Sequence, residues 1–251
     1  MTTTHPHETR VHETAAESSR LPRRSRYTIE RPAVFDRLDR ALREQPTIVR
    51  APAGYGKTSL VRKWLDRTDD ANRPSATWVD LDLVGGGIDG FWDAMRAAVD
   101  PRDESAFWDA DPLAATQDGI GRHIGTVVLV LDGYTRRWDG LLSAELVQLL
   151  RRTPNLHLMV LTRALTSFEA PALAAVLDLV VVQNDDLAFE RRELDEVVQL
   201  LGTDVEPRVL DHVWKRSHGW PLAARAMIRV FDDPRAVLPE PVVARALDEI
   251  S

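Results

Sequence analysis

The segment that most constrains this chain is Ala51-Pro52-Ala53-Gly54-Tyr55-Gly56-Lys57-Thr58. It follows a short apolar run over residues 46–50. It precedes Leu60, Val61, Trp64 and Leu65, which recur at helical spacing. A strand, a glycine-bearing turn and an amphipathic helix, in that order, make a cradle for phosphate. Gly54 and Gly56 permit tight turns that aim successive N–H groups inward. The helix opening at Lys57 adds the positive end of its dipole. Lys57 is then expected to reach the β- and γ-phosphates of a nucleotide, and the Thr58 hydroxyl to sit on Mg²⁺. The strict pattern G-x-x-x-x-G-K-[ST] has Gly at its first position, where this chain has Ala51. The rest fits, so Ala53, Gly54, Tyr55, Gly56, Lys57, Thr58 and Ser59 are the expected nucleotide contacts of the loop.

Such a site also needs a carboxylate for its metal. The run Val127-Val128-Leu129-Val130-Leu131-Asp132 supplies one at the end of an apolar strand bounded by Gly125 and Gly133. Open α/β sheets bind ligands at the C-terminal edges of their strands. Asp132 is therefore expected to hold Mg²⁺ together with Thr58, through the ion's water shell. Leu158-Met159-Val160-Leu161-Thr162-Arg163 ends at the same edge, which puts Arg163 where it senses the γ-phosphate. Lys57 and Arg163 are the candidate catalytic residues, both by stabilising charge on a transferring phosphoryl group.

Along the chain, strands are expected at 46–50, 76–82, 126–131, 156–161 and 177–182. Helices are expected at 34–42, from 57 onward, at 91–99 and at 141–151. Strands separated by helices predict a parallel five-stranded sheet covered on both faces, an α/β domain over residues 26–187. The pattern then becomes purely helical, at 190–201, 206–216, 221–231 and 241–250, which predicts a small helical subdomain over 188–251. Residues 1–25 carry hardly an apolar side chain and are expected to be a disordered tail. Arg20, Arg23, Arg24 and Arg26 at its end read as a solvated linker.

Composition narrows the function. The formal charge is −7, a poor match to a dedicated nucleic-acid binder. Cysteine is absent, which excludes disulfides and thiolate metal sites and fits a reducing cytosol. No apolar run is long enough to span a bilayer, and the N-terminus lacks the apolar core of a signal peptide. A cytoplasmic protein without a membrane partner is expected.

These pieces stand in an order that resembles one family. Arg31-Pro32 precedes a helix, and the loop follows. Then come Trp78-Val79-Asp80-Leu81-Asp82, Phe91-Trp92, Leu129-Val130-Leu131-Asp132, Leu161-Thr162-Arg163 and His218-Gly219-Trp220-Pro221-Leu222. This resembles the nucleotide-binding domain of the STAND class of P-loop NTPases, closest to large LuxR-type transcriptional regulators related to the maltose-regulon activator. The resemblance implies ATP and ADP with Mg²⁺ as ligands. ADP would hold a monomeric resting form, and ATP with an inducer would promote self-association. It also implies that Arg31 lies near the nucleotide base, and that Gly219 and Pro221 belong to the subdomain closing over it.

Two departures matter. The family usually carries a second acid directly after the metal-holding Asp, followed by an aromatic residue and a His. Here Gly133, Tyr134 and Thr135 follow. The second acid is the expected activator of the attacking water, and Gly133 cannot do that work. Hydrolysis is thus expected to be weak or absent, and a carboxylate introduced at 133 is expected to raise it. The other departure is length. Family members continue into a helical-repeat sensor and a helix-turn-helix, whereas this chain stops at Ser251. A truncated or stand-alone module is expected, one that binds no specific DNA by itself and works by self-association or through a separate regulator chain.

The competing class is an active P-loop ATPase or small-molecule kinase, whose acid would come from Asp80 or Asp82. A degenerate interaction protein is opposed by Lys57, Thr58 and Asp132. Gly85-Gly86-Gly87-Ile88-Asp89-Gly90 formally matches a dinucleotide fingerprint but reads as a flexible strand-to-helix loop. His5, His7 and His12 read as unliganded, and Trp64 as core.

Overall fold

The computed structural model describes residues 18–23, 25, 27–42, 46–67, 74–99 and 111–232. Five parallel strands form one sheet in the order β2-β3-β4-β1-β5. They are β1 Thr47–Arg50, β2 Ser75–Asp80, β3 Val127–Tyr134, β4 Leu156–Thr162 and β5 Val180–Gln183. Along β3, Leu129 and Leu131 pack to one side while Val128 and Val130 pack to the other. A strand buried on both faces must be apolar at every position, so the run is continuous rather than alternating.

One face is covered by α3 Gly87–Val99, α4 Pro112–Gly121 and α5 Arg136–Arg152, through Phe91, Met95, Ile120, Leu142 and Leu146. The other is covered by α1 Pro32–Ala41 and α2 Lys57–Arg67, through Phe35, Leu38, Leu60, Val61 and Trp64. Trp64 is core, as expected, and its indole N–H donates to Asp39 at 2.7 Å. After β4 come a 3-10 turn Ser167–Glu169 and α6 Pro171–Val176; after β5 comes the short α7 Asn184–Leu187. Three further helices, α8 Glu193–Leu201, α9 Pro207–Ser217 and α10 Pro221–Asp232, build a separate apolar cluster. It gathers Phe189, Leu194, Val197, Leu210, Val213 and Ile228, with Ile29 from the start of the chain.

Some boundaries differ from expectation. The helix α4 is missing from the sequence reading. Its Asp111 cap accepts from the Leu113 N–H, but Gly119 and Gly121 dilute its helical pattern. The strand β5 begins at Val180 rather than 177, because the Leu177 N–H closes α6 on the Leu173 carbonyl. The strand β3 runs past Leu131 to Tyr134 through a bulge: between Leu131 and Tyr134 its register against β4 slips. The Gly85–Gly90 segment leads into α3 with no room for a side chain at 90, where a Cβ would overlap the Gly85 carbonyl. The histidines of the tail, Arg24, Arg26 and the helix expected at 241–250 lie outside the described residues. Of the tail expected over 1–25, only 18–23 and 25 are described, and Ser18 there is buried.

Candidate functional site

The C-terminal edge of the sheet opens into a cavity of about 670 Å³, the size of a cofactor or small-ligand pocket. The expected loop residues line it, from Ala53 to Ser59. Gly54 and Gly56 adopt φ of 78° and 79°, a backbone region that L side chains rarely enter. The Lys57 ammonium donates to the carbonyls of Ala51 at 2.7 Å and Pro52 at 3.1 Å, so the cation is held against the loop it is expected to serve.

The two expected metal ligands meet. The Thr58 hydroxyl donates to Asp132 Oδ2 at 2.8 Å, although 74 residues separate them. The Gly133 N–H donates to Asp132 Oδ1 at 3.0 Å. Burial pushes the Asp132 carboxyl above the usual range; the Thr58 bond draws it down, nearby Asp80 raises it, and Gly133 and Lys57 lower it again. A half-buried carboxylate beside a hydroxyl, with a second carboxylate close by, is a hard oxygen set suited to a divalent cation. Asp80 pairs with Asp132 in the sheet register, and burial raises its carboxyl too. Arg163 follows β4 and lines the same cavity.

The bulge in β3 explains Gly133. Its φ is 76°, and a Cβ there would lie 3.1 Å from the Asp82 carboxylate. This geometry revises the expected gain from a carboxylate at 133. Such a side chain would be strained and would press like charge on Asp82.

The small helical cluster touches the loop directly. The Trp220 indole N–H donates to the Ala53 carbonyl at 3.1 Å, and the Leu222 N–H donates to the Gly54 carbonyl at 3.1 Å. The Tyr55 and Trp220 rings stack with centroids 6.4 Å apart. A Cβ at Gly54 would come within 2.7 Å of the Leu222 Cβ, so this glycine also permits the approach of α10. Pro221 lines the cavity, and Gly219 does not. Gly219 instead lets the chain near α7 come close: the Phe189 N–H donates to its carbonyl at 2.7 Å, and a Cβ at 219 would meet the Phe189 carbonyl at 2.6 Å.

Arg31 also lines the cavity, but its guanidinium is turned to the connection between sheet and helices. It donates to the carbonyls of Leu187 at 2.7 Å and Ala188 at 2.8 Å, and pairs with Glu193 at 2.9 Å. Every nitrogen of the fork is thereby engaged, which makes it a clamp on the connection.

Arg136 and Arg225 line the cavity without having been singled out from the sequence, and Leu222, the last residue of the recognised Gly-Trp-Pro segment, lines it with them. Arg225 stands four residues after Pro221 on α10, so helical spacing from the Gly-Trp-Pro segment was a usable signal. Its guanidinium lies 5.2 Å over the Tyr27 ring, and burial lowers its pKa.

A parallel sheet with a glycine loop after its interior strand β1, and a Thr–Asp pair at its C-terminal edge, defines a P-loop nucleotide-binding fold. Comparison with known proteins agrees. No protein-family profile matches the chain. It is 26% identical over 217 residues to the HTH-type transcriptional regulator MalT of Vibrio cholerae, covering 80% of this chain and 24% of that protein. It is 24% identical to MalT of Yersinia pestis, covering 79% of this chain and 23% of that one. The chain thus spans about a quarter of the length of the curated relatives it matches. Among solved structures it is similar to a Signal Transduction ATPase with Numerous Domains (STAND) carrying a tetratricopeptide repeat sensor, from Pyrococcus horikoshii. The TM-score is 0.62 at 16% identity, over 94% of this chain and 34% of that one. It is similar also to the ORC1 protein of Aeropyrum pernix, solved with DNA, with TM-score 0.57 at 16% identity over 89% of this chain and 66% of that one. The chain is homologous to MalT-type regulators and has the fold of the STAND and ORC1 proteins. Among the described residues, no helix is long and apolar enough to cross a membrane.

Proposed function

We propose that this chain is an ATP- and ADP-binding switch of the STAND type, acting in transcriptional regulation in the cytoplasm. The observation that carries this reading is the Thr58–Asp132 hydrogen bond beside Lys57, in a cavity that Pro221 and Leu222 also line. The loop N–H groups and Lys57 would hold the phosphates, and Arg163 would meet the γ-phosphate. Thr58 and Asp132 would hold Mg²⁺, which would supply charge neutralisation to the phosphates. Ala53 and Gly54 give their carbonyls to the helical subdomain, so a change in loop geometry on binding acts on Trp220 and Leu222 without an intermediary. A ligand that contacts both parts favours the closed arrangement by its differential affinity for it.

Residue 133 offers no carboxylate to the attacking water, so hydrolysis is slow beside that of working enzymes, roughly 1 per second or faster. The resemblance to regulators supports an output through self-association or a separate regulator chain. The net charge of −7 supports the absence of specific DNA binding by this chain alone. Thermal melting with saturating ADP or ATP and Mg²⁺ tests the reading. A ligand confined to the folded state adds RT ln(1 + [L]/Kd), about 2.7 kcal/mol at a hundredfold excess over Kd. An unchanged melting temperature with both nucleotides contradicts it.

A further inference from the structure

We infer that Asp82 is the carboxylate that positions and deprotonates the water attacking the γ-phosphate, in the place of the acid missing at 133. The inference rests on the nucleotide reading above. Three carboxylates face the cavity beside Lys57 and Thr58: Asp80, Asp82 and Asp132. Asp132 is engaged at both oxygens, by the Thr58 hydroxyl and by the Gly133 N–H. Asp80 Oδ1 accepts from the Asp82 N–H at 3.1 Å, which folds the turn after β2 so that residue 82 returns toward β3. The Leu81 N–H donates to the Asp132 carbonyl at 2.8 Å and fixes that turn to the bulge. Asp82 itself is exposed, and its carboxylate accepts no hydrogen bond from the described residues.

Its position is the second observation. All three atoms of the Asp82 carboxyl lie 3.1 to 3.2 Å from where a Cβ at Gly133 would stand. The space that a side chain at 133 would enter is therefore filled by a carboxylate arriving from the neighbouring strand. The left-handed bulge at Gly133 and the turn at Asp80 together exchange the acid's attachment point while keeping it one residue beyond the metal-holding Asp132.

The step balances with water as the only co-reactant. The water oxygen bonds to Pγ as the bond from Pγ to the β–γ bridging oxygen breaks. The water proton passes to the Asp82 carboxylate and then to solvent, and the products are ADP and inorganic phosphate. A carboxylate that no hydrogen bond fixes holds its water loosely, so the turnover it supports is slow. That is the pace suited to resetting a switch.

Asp82→Asn is the direct test, because an exposed side chain can change without disturbing the core. Three readouts are needed: ATP affinity by fluorescence titration, single-turnover hydrolysis, and the identity of nucleotide retained after gel filtration. The variant is expected to bind ATP as tightly as wild type or tighter, to hydrolyse it at least about tenfold more slowly, and to retain ATP where wild type retains ADP. Asp82→Glu, which keeps the carboxylate, is expected to hydrolyse faster than Asp82→Asn. Hydrolysis by Asp82→Asn at the wild-type rate would overturn the assignment and leave the nucleotide reading intact. So would wild type that binds ATP but hydrolyses it no faster than water alone does. Failure of wild type to bind ATP would overturn both.

Discussion

The two ends of the cavity are built by different means. At the phosphate end, backbone geometry and strand ends do the work: a glycine loop after β1, a helix N-terminus, and Asp132 at the close of β3. At the subdomain end, the contacts are tertiary and side-chain specific. Trp220 reaches Ala53 across 167 residues, and Arg31 reaches Leu187 across 156. The first end keeps its tight turns at Gly54 and Gly56 with Ala51 in place of the usual glycine. The second depends on single groups whose loss leaves buried partners unsatisfied.

The sharpest way to break this comparison is Arg31→Ala. Its side chain is only 8% exposed, and it satisfies Glu193 and two carbonyls. Removing one partner of a buried pair costs about 3–5 kcal/mol, because the other charge stays buried alone. Urea denaturation should show that loss in the absence of nucleotide. A change below about 1 kcal/mol would demote Arg31 to a surface pair.

Trp220→Phe probes the other clamp more gently. It keeps the stacking on Tyr55 and deletes one hydrogen bond, worth about 1 kcal/mol. Stopped-flow measurement should find nucleotide leaving several-fold faster, with phosphate-end residues untouched. Identical release rates would mean that the subdomain contact does not gate the ligand.

Asp132→Asn has the smallest expected effect on stability, and its sign is informative. Burial raises the Asp132 carboxyl in the folded state. Its contribution to stability is therefore present below the unfolded-state pKa and lost as pH rises through the folded-state one. At neutral pH the ligand-free Asn variant should melt slightly higher than wild type, since the Thr58 hydroxyl can turn to accept from the amide. The gain should vanish as pH falls toward the ordinary aspartate range. The same variant should lose the Mg²⁺ dependence of ATP binding. A lower melting temperature at neutral pH would show that the charged form is fully compensated.

Legibility followed the same division. The sheet, the flanking helices other than α4, and the Thr58–Asp132 meeting were readable because each sits in a segment whose local geometry is set by its own residues. Gly133 was readable as a missing acid but not as a bulge, since a register slip against β4 depends on two strands at once. Trp220 stood inside a recognised segment, yet nothing along the chain said that its indole would bond the phosphate loop. Arg31 was placed near the cavity by resemblance; its turn toward Leu187 and Ala188 is fixed by the fold of the connection. The helix α4 was lost because two glycines weaken its pattern more than Asp111 and Pro112 announce its start.

The central claim is that an adenine nucleotide sits on the loop at Lys57. Titrating wild type and Lys57→Ala with fluorescent ATP in the presence of Mg²⁺ tests it most directly. The ammonium makes a charge-assisted contact worth roughly 1.5–3 kcal/mol, so the variant should bind about tenfold or more weakly while melting normally without ligand. Equal affinity of the two proteins for ATP would contradict the account.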